Sequence, residues 1–159
     1  MGRTLLFVTL VLVSPLGCQQ NAAKPQADPP GNVETIREYW PNGQLKVEKH
    51  VLRRRDGTTV EHGLYTGWYD NGQKEYGATY VDGKLDGVET AWHRNGKKRT
   101  EQYYQHGQRH GPRYTWDEQG RLRTEENYFD DRPHGTWTIW KEDGSIKWQA
   151  EFEHGLPRS

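Results

Sequence analysis

The stretch Gly87-Val88-Glu89-Thr90-Ala91-Trp92-His93-Arg94-Asn95-Gly96 decides the fold, because its outline returns one period earlier and twice later. A tryptophan stands four residues before a glycine-closed turn, and a second glycine stands five residues before that tryptophan. In steps of 24 residues the tryptophans are Trp68, Trp92, Trp116 and Trp140, and the leading glycines are Gly63, Gly87, Gly111 and Gly135. Self-similarity at a short fixed period marks a repeat architecture, in which each unit buries apolar surface mainly against its neighbours.

Each period is punctuated twice. Asn42-Gly43, Asn71-Gly72, Asn95-Gly96, Gln119-Gly120 and Asp143-Gly144 read as tight hairpin tips, where Asn or Asp before Gly tolerates positive φ. Between them lies a wider loop, Asp82–Gly87, then His106–Gly111, then Asp130–Gly135, where Asp131 replaces the first glycine. The segments left over run to about six to nine residues, which suits strands. Alternation agrees: Val88, Thr90 and Trp92 fall on one face and Glu89, Ala91 and His93 on the other, while Tyr114 and Trp116 oppose Arg113 and Thr115. A second aromatic column, Tyr80, Tyr104, Tyr128 and Phe152, marks the returning strand.

The fold class is therefore all-β: an array of about five β-hairpin repeats with a 24-residue period, forming an elongated antiparallel meander sheet. With seven Trp and nine Tyr but few aliphatics, any core is built from rings, each able to bury on the order of 150–250 Å². The expectation is one narrow apolar seam lined by both columns, with Trp68, Trp92, Trp116 and Trp140 inside it. Trp137 and Trp148 break the column and are expected to be exposed. Gly43 to Gly63 spans 20 residues against 15 from Gly72 to Gly87, so five extra residues enter around Arg53-Arg54-Arg55-Asp56-Gly57, as an expected loop.

These residues resemble the MORN-repeat variant family, whose short hairpins carry an aromatic, an Asn-Gly turn, then Tyr-x-x-Gly and a further Gly. The matching stretches are Trp68-Tyr69-Asp70-Asn71-Gly72 with Tyr80-Val81-Asp82-Gly83 and Gly87, repeated from Trp92 to Gly111 and from Trp116 to Gly135. Tyr39-Trp40-Pro41-Asn42-Gly43 opens the array, and the likeness extends to Gly155. Bacterial members are often described as antitoxins, and other relatives as protein-binding or lipid-associated scaffolds. The resemblance thus implies a non-enzymatic interaction module with an unidentified protein partner, or alternatively an antitoxin or immunity-type protein that binds a toxin.

Upstream of the repeats, Arg3 and the apolar run Leu5–Val13 have the form of a signal peptide, far short of the roughly 20 residues that span a bilayer. Ser14-Pro15-Leu16-Gly17-Cys18 resembles the cleavage box of a bacterial lipoprotein, with Pro15 and Leu16 departing from its usual pattern. The organisation expected is a signal peptide over 1–17, a lipid-anchored flexible linker over 18–32 rich in Pro and polar residues, and the repeat domain over 33–159. Cys18 is the only cysteine, so no intramolecular disulfide forms, and it is the expected lipidation site. The location implied is extracytoplasmic and membrane-anchored.

Without Arg3 the balance is 21 basic against 22 acidic residues, which gives no electrostatic case for nucleic acid. No nucleophile elbow, phosphate-cradling loop or second cysteine appears, so no catalytic residue and no cofactor is expected. His62, His110 and His134 form one column and His106 and His154 another, read as solvated turn residues and not as a metal set. The candidate binding residues are Arg53, Arg54 and Arg55, a basic cluster suited to an anionic surface or acidic partner, and Trp137 and Trp148, suited to a protein or to an envelope glycan.

Overall fold

The structure is a computed structural model and describes residues 31–158; Cys18, the signal peptide and most of the linker lie outside the described residues. Every regular element among the described residues is a strand: β1 (Asn32–Tyr39), β2 (Leu45–Arg53), β3 (Thr59–Trp68), β4 (Lys74–Val81), β5 (Lys84–Leu85), β6 (Gly87–Trp92), β7 (Lys98–Gln105), β8 (Gln108–Trp116), β9 (Leu122–Phe129), β10 (Arg132–Pro133), β11 (Gly135–Trp140), β12 (Ile146–Glu153) and β13 (Leu156–Pro157). They form one open antiparallel meander in chain order, with the short β5 and β10 pairing back onto β4 and β9.

The turns divide the work differently from the sequence expectation. At the Asn-Gly tips only the glycine has positive φ, for example Gly72 at 80° and Gly96 at 82°. The bonds Gly72 N–H to Tyr69 O (3.0 Å) and Tyr69 N–H to Gln73 O (2.9 Å) make this a type I turn closed by a glycine bulge. The loops read as wide contain the two-residue turns: Asp82 (φ 50°) with Gly83 (80°), and His106 (52°) with Gly107 (89°), both positive as a type I′ turn requires. Asp130 (48°) and Asp131 (65°) adopt the same shape without glycine, and the Asp131 carboxylate accepts bonds from both the backbone N–H and the guanidinium of Arg109. The leading glycines are bulge residues inside or at the head of a strand, Gly63 at φ 103°, Gly87 at 113° and Gly111 at 100°, conformations that side chains resist.

The five extra residues do not make a loop. They lengthen β2 and β3, which pair out to Arg53↔Thr59, and the connection Arg54–Thr58 repeats the tip geometry with Gly57 N–H bonded to Arg54 O at 3.1 Å. Asp56 closes this turn by accepting from the Thr58 N–H at 2.9 Å, so the insertion is itself a hairpin end.

Side-chain amides join the tips. The Oδ1 of Asn42, Asn71 and Asn95 accepts from the N–H two residues on, while the Nδ2 donates to the next tip at Asp70 O (2.9 Å), Arg94 O (3.0 Å) and Glu118 O (2.8 Å). A neighbouring row does the same with different chemistry: Trp40 Nε1, Tyr69 Oη and His93 Nε2 reach Trp68 O, Trp92 O and Trp116 O at 2.8–2.9 Å. At the other edge the link is main-chain, Gly107 N–H to Leu85 O at 2.7 Å and Gly155 N–H to Pro133 O at 2.8 Å.

A single seam is also not what forms. Residues directly opposite each other across a ladder share a face, so Tyr76, which pairs with Gly67 and Ala91, lies opposite to its neighbour Gly77, which pairs with Thr66 and Thr90. The Trp92 ring covers Gly77 on that second side, close enough that a Cβ there would meet it at 3.3 Å. Tyr80, Tyr104 and Tyr128 lie on the first side. The two aromatic columns therefore occupy opposite faces of one layer, a tyrosine face and a tryptophan face. A single sheet has nothing stacked on it, and Trp68, Trp92, Trp116 and Trp140 stay half-buried. Lys74 and Lys98 lie over the Trp92 and Trp116 rings at 5.8 Å, partly covering them. Among the described residues the buried ones are few, Val51, Gly67, Ala78, Ala91 and Tyr128 with the polar Thr90, Gln102 and Thr138.

Candidate functional site: the tyrosine face

The register places five positions of each hairpin pair on the tyrosine face, and their contents change along the array. The first set is Tyr65, Gly67, Tyr76, Ala78 and Tyr80. The second is Glu89, Ala91, Thr100, Gln102 and Tyr104. The third is Arg113, Thr115, Thr124, Glu126 and Tyr128, and the fourth is Trp137, Ile139, Trp148, Ala150 and Phe152. Only the last column keeps its aromatic ring throughout. The face thus runs from a tyrosine cluster, through a charged and amide-bearing middle, to an apolar end.

At the first end, Tyr65 meets Tyr76 edge-on with ring centres 5.6 Å apart and tilts onto Tyr80 at 6.2 Å. The Tyr76 hydroxyl donates to Glu89 Oε1 at 2.8 Å. Burial, and then the bonds with Tyr80 and Glu89, push the Tyr76 phenol far above its ordinary range. Tyr104 is raised to about 12 by burial and by the charge of Glu89. In the third set Arg113 grips Glu126 through both oxygens at 3.0 Å, and Tyr128 Oη donates to the same carboxylate at 2.7 Å. The Arg109 guanidinium lies 4.2 Å over the Tyr128 ring and bonds Asp131, whose carboxyl it holds below the usual range. Burial and the Glu126 bond raise Tyr128 to about 12.

The far end holds an apolar groove of about 510 Å³ lined by Trp137, Ile139, Trp148 and Phe152, with Glu126 and Lys147 at its rim. Trp148 and Ile139 remain 42% and 36% exposed, so this is apolar surface left in water. Trp137 does not stand free as expected. Its ring is wedged between Tyr128 (5.2 Å) and Phe152 (4.9 Å), and its Nε1 donates to Asn127 O at 2.8 Å. Trp137 is a wall of the groove and Trp148 its open side.

The other candidates lie elsewhere. Arg53 is the last residue of β2, bidentate to Glu34 at 2.7 and 3.2 Å, and Arg54 and Arg55 are exposed in the turn that follows. The basic cluster and the tryptophans sit at opposite ends of the strand order and do not converge. His62 and His110 pair with Asp82 and Asp130 at 3.4 and 3.2 Å, and His134 lies 5.4 Å from His154, all near the type I′ turns. Among the described residues no three His, Cys, Asp or Glu side chains converge as a metal site.

The sequence profile of the MORN repeat variant family matches residues 35–51, 61–82 and 85–106, which are the first three hairpins of this sheet. The chain carries MORN repeats of the variant family. Two further hairpins follow with the same 24-residue spacing and the same tip geometry. MORN repeats as a family are protein- or membrane-binding modules, not catalysts. No curated protein matches the chain at a significant level. The sequence places Tyr104 in an aromatic column and Glu89 only on a strand face, and assigns no binding role to Glu89, Arg99, Gln102 or Tyr104. For Glu89 and Gln102 the signal is departure from the repeat at a face position, Glu89 standing where the other sets carry Tyr65, Arg113 and Trp137, and it is visible only once the register is known.

Proposed function

We propose that the chain is a non-enzymatic binding module that presents its tyrosine face to another protein, anchored in the groove between Trp137 and Trp148. The observation that carries this reading is the exposure of Trp148 and Ile139 beside a wall already formed by Trp137 and Phe152. A half-open apolar groove with one acidic and one basic residue at its rim suits an apolar side chain flanked by charge, the usual form of a protein hot spot. The sheet supplies rigidity, so the rings are held before the partner arrives. The lipoprotein-like segment supports presentation of this face outside the cytoplasm, on a tether through Cys18.

The test is crosslinking and co-purification of the full chain from its native cells, with Trp148→Ala and Cys18→Ser variants alongside. Trp148→Ala is expected to lose a defined protein partner while its melting temperature stays within a few degrees of the parent. Cys18→Ser is expected to leave the membrane fraction. Retention of the same partner by Trp148→Ala refutes the groove as anchor. Retention on envelope polysaccharide that depends on Trp148 replaces the protein by a glycan, and a Cys18→Ser protein that stays in the membrane refutes the tether.

A further inference from the structure

The middle of the tyrosine face holds a second, polar recess of about 440 Å³. Small side chains keep it open: Ala91, 5% exposed, follows Gly67 in the same column of the face, with Thr115 next along the array. A volume of this size is that of a small-ligand site.

Among the described residues, two ions lining the recess are left without an ionic partner, and one amide oxygen buried beneath it is unpaired. Gln102 is 3% exposed; its Nε2 donates to Tyr103 O at 3.0 Å, while its Oε1 finds no donor among the described residues. An unpaired buried acceptor is costly, about 1–3 kcal/mol. Glu89 accepts from the Tyr76 hydroxyl, but no Lys, Arg or His lies within ion-pair distance of it among the described residues. Arg99 also lines the recess and has no carboxylate partner there among the described residues. The other two guanidiniums at its border are already used, Arg113 by Glu126 and Arg109 by Asp131. One unmatched anion, Glu89, thus lines the same recess as one unmatched cation, Arg99. Arg99 stands three residues before Gln102 on β7, a backbone separation of roughly 10 Å that its long side chain shortens.

We propose that this recess binds a small zwitterion of the amino-acid class, its ammonium received by Glu89 and its carboxylate by Arg99. A neutral sugar offers no charge to either ion, and a simple anion leaves Glu89 unmatched. An amine without a carboxylate leaves Arg99 unmatched in the same way. The Tyr76 and Tyr104 side chains line the recess beside Glu89, and the Tyr76 hydroxyl fixes that carboxylate in place. This site is separate from the Trp148 groove and does not depend on its having a protein partner.

Calorimetric titration of the full chain tests it, using glycine, L-alanine, L-lysine and L-glutamate, with ethylamine, acetate and glucose as single-charge and neutral probes. At least one amino acid is expected to bind saturably below about 10 mM, in the range of weak small-ligand affinities, with the three other probes silent. Glu89→Gln and Arg99→Gln are each expected to weaken that binding about tenfold or more, which corresponds to about 1.4 kcal/mol. Arg99 is exposed, so its variant tests the site without endangering the fold, and Arg123→Gln, one hairpin further on, is expected to bind as the parent does. Absence of saturable amino-acid binding, equal binding of glucose, acetate or ethylamine, or undiminished binding by Arg99→Gln overturns the proposal.

Discussion

The substitution Asn42→Asp isolates the amide links between tips, because it exchanges one side-chain group and leaves the turn intact. The retained oxygen still accepts from the Gln44 N–H at 3.0 Å. What was a donor 2.9 Å from Asp70 O becomes an oxygen facing an oxygen. Loss of one exposed hydrogen bond costs about 0.5–1.5 kcal/mol, and acceptor facing acceptor brings the expected deficit to about 1–2 kcal/mol. In a unit of this size that is a fall of roughly 3–8 °C in melting temperature at pH 7. Acid provides the control, since the introduced carboxyl, once protonated, has an O–H to donate to the same carbonyl. The fold therefore favours the neutral form and raises this carboxyl above its ordinary value of about 3.9. The stability linked to it is present below that value and lost as pH rises through the raised one. Thermal melts of parent and variant by circular dichroism at pH 7 and pH 3 are expected to show the deficit at the first and its near disappearance at the second. A deficit of the same size at both, or none at pH 7, refutes the claim that these amides hold neighbouring hairpins together.

Two further outcomes follow from the same geometry. Gly63→Ala is expected to lose about 2–3 kcal/mol by denaturant titration, because the residue sits at φ 103° and its new Cβ would lie 3.0 Å from His50 Nδ1 and 3.2 Å from His50 Cβ. Tyr104 and Tyr128, both raised to about 12, contribute stability that is complete below about pH 10 and lost as pH rises through about 12. Melting temperature against pH, followed with phenolate absorbance, is expected to drop across that window, and Tyr128→Phe to remove part of the drop.

How far the chain could be read without coordinates differs by level. The 24-residue spacing of Trp92 and Gly87 was enough for the hairpin array, and alternation correctly put Val88, Thr90 and Trp92 on one side. The same patterns misassigned the turns. Asn-Gly is compatible with more than one hairpin geometry, and what selects the bulged type I form here is its ladder register, together with the amide bond to the next tip. The Arg53–Arg55 insertion looked like a loop because its length was visible and its pairing with β1 and β3 was not.

By itself the sequence determined the strands, the number of hairpins, the meander and the MORN family, because each follows from local spacing and local turn chemistry. Only the tertiary structure decided which face a residue shares with residues 24 positions away, since one bulge or one register step moves a side chain to the opposite side of the sheet. That decision separated the Trp column from the Tyr column, wedged Trp137 against Phe152 while leaving Trp148 open, and set Glu89, Gln102 and Arg99 around one recess.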